Sequence, residues 1–229
     1  MMRFLLLILP LYTFQTLAQV AVAPEELAFP LIEGSTWIYN GTIKWNEGGD
    51  SHYEKEIEWT MRIDSVTTRQ HVTAALLTGY PLDLAWWEPG RTPRTRTLIC
   101  VNGKDFFLTD STAYSRVRDN TESLIDLVKE SELFLRLPLV KYRAFGETSQ
   151  ITRTDGMYVW WVEDHDTDAP WLLNGERRTF DALYTITMRT LPSYLSYQFV
   201  PGVGIVRFRY HHNGSVSDVD VSLTATNNE

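Results

Sequence analysis

The sequence predicts a mainly β protein, an antiparallel curved sheet or partial barrel with one covering helix at about residues 121–137. Three observations predict it. Asn102-Gly103, Asp155-Gly156 and Asn213-Gly214 each sit between strand-like runs, and such pairs favour tight hairpins because they tolerate the positive φ that those turns demand. Apolar and charged residues alternate with a period of two over 37–64, as in a sheet with one buried face. Helical spacing of apolar residues occurs in one stretch only, before Pro138.

The elements follow in chain order. Trp37, Tyr39, Ile43 and Trp45 share one parity, residues 46–51 form a Gly-rich turn, and Tyr53, Lys55, Ile57, Trp59, Met61 and Ile63 share the next. Glu54, Glu56, Glu58, Arg62 and Asp64 take the alternate positions, so this pair of strands should expose one face. A strand is expected at 71–80. A two-residue turn at Asn102-Gly103 sets Ile99 opposite Phe106, Leu98 opposite Phe107 and Thr97 opposite Leu108, strands apolar on both faces that should lie centrally.

In the helical stretch Asn120 can cap, Glu122 falls in the first turn, and Leu124, Ile125, Leu127, Val128, Leu133 and Phe134 form a broad apolar side. Residues 133–140 are also apolar enough for a buried strand, so the second half stays open between the two. Asp155-Gly156 sets Ile151 against Trp160 and Thr152 against Val159, and strands follow at 183–189 and 194–200. Around Asn213-Gly214, Phe208 meets Val219 and Val206 meets Val221 on one face, while Arg209 meets Asp218 and Arg207 meets Asp220 on the other. A slip of one residue would bury charge, which fixes the faces.

Residues 1–18 read as a secretory signal peptide: Arg3, then an apolar run over 4–12, then a more polar segment ending at Ala18. Ala21-Val22-Ala23 is a second cleavage candidate, made awkward by Pro24, and an uncleaved anchor is the alternative. The run falls well short of the ~20 apolar residues needed to cross a bilayer, so no transmembrane segment is expected in the mature chain. That chain, 19–229, reads as a single β-rich domain destined for the periplasm or the exterior. Residues 29–37 and 137–145 echo each other (apolar, Pro, Leu, apolar, with an aromatic six residues after the Leu), which allows two related sheet halves.

Charge excludes a general nucleic-acid coat, since 21 Lys and Arg stand against 29 Asp and Glu, a net −8 that becomes −9 when Arg3 leaves with the leader. Arg91, Arg94 and Arg96 cluster in a Pro/Gly/Thr loop and read as a solvated turn. The lone Cys100 allows no intramolecular disulfide, and its neighbours favour a small core residue over a reactive thiol.

Phe29-Pro-Leu-Ile-Glu-Gly-Ser-Thr-Trp-Ile-Tyr39, with the late Phe199-Val-Pro-Gly-Val-Gly-Ile-Val206, resembles a group of uncharacterised exported bacterial proteins and lipoproteins. These open on Pro-Leu-x-x-Gly-x-x-Trp-x-Tyr and end on a Pro-Gly-Val-Gly-Ile/Leu-Val strand. Gly156-Met-Tyr-Val-Trp160 and Thr179-Phe-Asp-Ala-Leu-Tyr184 fit the same pattern. The resemblance implies an antiparallel β architecture and an envelope location, with no activity or catalytic residues to carry over. The lipid-attachment Cys of the lipoprotein members is missing here.

Little in the sequence points to chemistry. Asp164, Asp166 and Asp168 have the spacing of a weak Ca²⁺ loop, but Ala169 and Gly175 stand where an EF-hand needs Gly and Glu, so a solvated acidic turn is favoured. No Gly-x-Ser-x-Gly elbow and no phosphate-cradling loop is present, no cofactor is implied, and a spatially assembled hydrolase site stays as an alternative. The aromatic content is the feature least explained by folding. Of the pairs Trp86-Trp87 and Trp160-Trp161, a strand would turn one indole inward and one outward, and the first pair reads as a loop. The favoured function is non-enzymatic binding of an apolar small molecule or an envelope protein by these indoles, with a structural or adhesion module as a further alternative.

Overall fold

The computed structural model describes residues 29–47, 51–214 and 216–228. The leader reading of 1–18 lies outside them. The alternating region becomes β1 (Thr36–Asn46) and the long β2 (His52–Arg69), paired antiparallel from Thr36 opposite Arg62 to Asn46 opposite His52. Trp37, Tyr39, Ile43, Trp59, Met61 and Ile63 are buried, and Glu54, Glu56 and Glu58 are exposed, as the period of two requires.

The chain then continues through β3 (Val72–Thr78), β4 (Thr95–Val101), β5 (Asp105–Asp110), helices α1 (Thr112–Arg118) and α2 (Leu124–Lys129), and β6 (Glu132–Arg136). After β6 come β7 (Ala144–Phe145), helix α3 (Thr148–Ile151), β8 (Trp160–Asp166), the separate hairpin of β9 (Ala169–Leu173) and β10 (Glu176–Phe180), then β11 (Leu183–Arg189), β12 (Ser193–Val200), β13 (Gly204–His212) and β14 (Ser217–Thr226). One antiparallel sheet runs β6-β5-β4-β3-β2-β1-β14-β13-β12-β11-β8-β7. First and last strands thus meet in its middle, and β6 and β7 are its edges.

The sheet curls until those edges nearly meet, and side chains bridge the gap. On β6, Leu133 O accepts from Trp160 Nε1 of β8 at 3.0 Å, and Phe134 O accepts from the Tyr197 hydroxyl of β12. Rings occupy the core that this encloses: the Phe29 centroid lies 6.3–6.4 Å from those of Phe106, Phe134 and Phe199. The two motifs of the resemblance pack on one another there. Gly204 has φ +103°, and a Cβ at that position would sit 3.3 Å from both Phe29 and Trp37. The Trp37 indole donates to Val203 O and the Tyr39 hydroxyl to Ile205 O, so the buried polar atoms of these large rings are satisfied by β13 and the turn before it.

Four expectations are corrected. The single helix over 121–137 is instead the short α2 followed by a strand: Leu133 and Leu135 pair with β5, Phe134 and Leu135 are buried, and the pattern obeys sheet pairing once Glu130 ends the helix. α1 carries little sequence signal, since only Ala113 and Val117 mark its buried side; the Asp110 carboxylate, one residue before its N-terminal flank, accepts from the Thr112 N–H at 2.7 Å. At Asp155-Gly156 the expected pairing of Ile151 with Trp160 is absent, since Glu147 and Gln150 form a capping box that starts α3 there.

The other two corrections concern register. Asn102 (φ +53°) and Gly103 (φ +67°) do form the tight turn, with Lys104 N donating to Val101 O at 3.0 Å, but the strands resume with Val101 opposite Asp105, one residue from the expected pairing. Such a slip is tolerated because both faces are covered. Helices α1 and α2 bury Val72, Ala74 and Ile99 on the outside of the sheet, so the hairpin is apolar on both faces without being central. Around Asn213 the loop is longer than two residues, and Asn213 N donates to Pro192 O at 2.6 Å in the neighbouring turn. The register moves by two, to Phe208 opposite Val221 and Arg209 opposite Asp220, which keeps every side chain on its expected face. Arg207 reaches Asp220 at 2.8 Å as expected, whereas Arg209, expected opposite Asp218, also turns to Asp220 at 3.2 Å and leaves Asp218 to His211.

Candidate functional site

The Trp-Trp pairs divide between the core and two separate surface depressions. Trp160 is buried and stacks on Phe145, whereas Trp161, next on the strand, is 38% exposed. Around Trp161 lies a groove of about 570 Å³ bordered by Tyr142, Asp155, Glu163 and Arg189. Tyr142 is 74% exposed and held at φ +65° by its N–H bond to Val162 O at 2.8 Å. A bulky residue in that region is strained by on the order of 1–3 kcal/mol. Glu163 accepts from Arg189 at 3.2 Å and from the Tyr194 hydroxyl at 3.4 Å. The hydrogen bond from Arg153 to Asp155, joined by the Met157 N–H, lowers the Asp155 carboxyl to about 2.

The second depression, about 370 Å³, is lined by Trp45, Trp86, Trp87, Glu47 and Glu88. Its loop is a built structure. A 3-10 turn over Pro81–Leu84 buries the Asp83 side chain, which accepts from Arg96 at 2.9 Å and from the Arg94 N–H at 3.0 Å. Arg91, its side chain 14% exposed, donates to Asp83 O and, at 2.6 Å, to Trp86 O. Of the Arg91–Arg94–Arg96 cluster, Arg91 and Arg96 therefore anchor the loop by their side chains, while Arg94 gives only its backbone N–H and keeps its side chain exposed, as a solvated turn would. Trp86 itself has φ +57°, donates its N–H to Ser217 Oγ at 2.9 Å and lays its ring 4.3 Å from that of His212. Trp87 packs at 6.4 Å on Trp59.

Five of the eight indole N–H groups donate within the protein: those of Trp37, Trp45, Trp59, Trp160 and Trp171. Among the described residues, those of Trp86, Trp87 and Trp161 have no such partner. Trp45, Glu47, Glu88, Tyr142, Glu163 and Arg189 escaped the sequence reading as site residues. Trp45 carries strand parity, which points to core, and it is indeed buried; Glu88 and Glu163 follow Trp87 and Trp161 closely in the sequence, whereas Glu47, Tyr142 and Arg189 come to these indoles only through the fold.

Asp164, Asp166 and Asp168 do not converge. Asp164 pairs with Lys141, which depresses its carboxyl, and Asp168 sits in the turn after β8 at φ +57°. No group of three or more His, Cys, Asp or Glu is gathered for a metal ion among the described residues. The adjacent rings of His211 and His212 point apart, as neighbours on a strand do: His211 pairs with Asp218, and His212 Nδ1 lies 2.9 Å from Ser193 Oγ. That serine is buried and shared with the Tyr210 hydroxyl at 3.1 Å, an arrangement that ties β12 to β13.

No family model matches this chain, and no curated protein does. Two solved structures are similar to it. One is a "putative exported protein with YmcC-like fold" from Bacteroides fragilis, 12% identical, TM-score 0.42, over 88% of this chain and 99% of that one. The other is a "putative lipoprotein" from Parabacteroides distasonis, 15% identical, TM-score 0.40, over 86% and 97%. Identities of this size leave the site to be argued from its own geometry.

Proposed function

We propose that this is an exported, non-enzymatic binding module that holds an envelope component against its outer surface. The observation that carries the reading is the division of the tryptophans. The three indoles whose N–H groups lack a protein partner border the two open depressions, where an aromatic face with a free polar edge serves recognition. The rings of Phe29, Phe106, Phe134 and Phe199 fill the core that an interior carrier would leave open to its ligand, which supports surface engagement over carriage inside the sheet. Export rests on the leader.

The test is a tryptophan-fluorescence titration with lipid vesicles, peptidoglycan fragments and surface polysaccharide, run on the wild type, Trp86→Ala and Trp161→Ala. The expected result is a saturable change with one component that is diminished by at least one substitution while the melting temperature holds. A titration indifferent to both substitutions overturns the surface reading. So does native mass spectrometry that finds a stoichiometric lipid retained in the folded chain.

A further inference from the structure

We infer that the depression between Trp45, Trp86 and Trp87 is a cage for an organic ammonium group, of the quaternary or methylated kind. The inference rests on the surface-binding reading and deepens it at one of its two sites. Three indoles line a single concavity of about 370 Å³, a size suited to a small cationic head, and Glu47 and Glu88 stand on its rim. Indole faces attract a desolvated cation through their quadrupole, and aromatic walls with carboxylates nearby are how proteins distinguish a methylated ammonium from an apolar group of the same shape.

The charges at the mouth are unequal. Arg91 lies 3.5 Å from Glu88 and offsets it, whereas Glu47 accepts the Trp45 indole N–H at 3.2 Å and has no ion-pair partner among the described residues. Lys55 Nζ lies 5.7 Å from the Trp87 centroid, so an incoming ammonium group competes with this lysine for that ring and relies on Trp86 and Glu47.

The cage is held at a cost that a plain turn would avoid. Trp86 occupies a left-handed backbone conformation that bulky residues rarely adopt, and its N–H, its carbonyl and its ring are each fixed, by Ser217, Arg91 and His212 respectively. Trp45, itself buried, is held by stacking one face on Tyr53 at 5.4 Å. Strain kept in place by three independent contacts argues for a position that the ring must hold.

The full mature chain is titrated with choline, with tetramethylammonium, and with 3,3-dimethylbutan-1-ol, the uncharged carbon isostere of choline, using tryptophan fluorescence and calorimetry. Choline and tetramethylammonium are expected to bind, with the isostere weaker by about tenfold or more. Trp86→Ala should abolish the binding. Glu47→Gln, which keeps the acceptor for Trp45, should weaken it several-fold without moving the melting temperature, and Trp161→Ala should leave it unchanged. Vesicles of phosphatidylcholine against phosphatidylglycerol separate a lipid headgroup from a free cation as the source. Equal binding of choline and its isostere overturns the inference and leaves an apolar surface site. No binding of either cation also overturns it, while the envelope titration, read at Trp161 as well, decides the surface reading by itself.

Discussion

Replacing Tyr197 by Phe removes one oxygen and tests whether side chains close the seam between the edges of the sheet. Tyr197 is 1% exposed, and its hydroxyl donates to Phe134 O on β6. The ring is retained, and with it the edge-on contact with Trp160 at 5.2 Å. The loss is therefore one buried hydrogen bond plus a carbonyl left dry and unpaired, ~1–3 kcal/mol. For a chain of this size each kcal/mol moves Tm by ~2–4 °C, so calorimetry should find a fall of about 2–12 °C. Hydrogen exchange should show the loss locally: β6 pairs with β5 over only four residue pairs, so its amides should exchange sooner while those of β1 and β14 hold. A Tm change below about 1 °C with unaltered β6 protection would refute the argument. A second check adds Trp160→Phe, which removes the bond to Leu133 O. If the two bonds close one seam, the double variant departs from additivity; strict additivity means that each acts alone.

Gly41→Ala should cost the upper part of ~1–3 kcal/mol, because its Cβ would lie 2.0 Å from Asp220 O, a backbone atom with no rotamer to yield; an unchanged thermal midpoint would mean a looser β1–β14 pairing. The Cys100 thiol, pushed up to about 11 chiefly by burial, should ignore a thiol reagent at neutral pH and titrate as one thiol in denaturant, and rapid reaction of the native protein would contradict its burial. The bond to Asp218 raises the His211 pKa, so the stability this pair contributes is fully present below the ordinary imidazole value of about 6.5 and is lost as pH rises through the raised one. His211→Asn should then flatten the stability curve above neutrality, and a wild-type curve already flat from about pH 6 to 9 would sink this.

The strands were legible wherever one face meets water. From Trp37 to Ile63 the alternation alone sets which side chains are inside, and an error of two residues, as at Asn213, leaves the faces intact because the period is two. Legibility failed where both faces are covered. At Ile99 and Phe107 the sequence is apolar throughout, so a slip of one carries no visible penalty, and only α1 and α2 lying over Ile99 explain the pattern. The stretch 121–137 failed for a related reason. Leu133, Phe134 and Leu135 satisfy a helical stripe as well as a strand covered on both sides, and nothing local reports that β5 offers a free edge there. The inward and outward split of Trp160 and Trp161 followed from parity alone, whereas the union of Trp45 with Trp86 and Trp87 depends on a loop whose anchor, Asp83, carries no sequence signal beyond being an acid near arginines.

That anchor bears on why the Trp86 loop exists in this form. Connecting β3 to β4 needs only a short turn, yet residues 79–94 bury a carboxylate, enclose Arg91, and leave the Nε atoms of Arg91 and Arg96 buried without a hydrogen-bond partner. Such a network is a poor route to stability, because taking charges out of water offsets most of what their pairing returns. It is a good route to position. Asp83 fixes Arg96 and the Arg94 backbone, and Arg91 in turn clamps the Trp86 carbonyl, so the indole beside the depression is set by a chain of charge-assisted bonds that starts in the core. The groove at Trp161 is arranged the same way, with Tyr142 held in a strained conformation at its rim and Arg189, Glu163 and Tyr194 locked together beside it. In both places the polar order fixes one partly exposed indole, Trp86 at 49% and Trp161 at 38% exposure, which accords with the recognition surface proposed above.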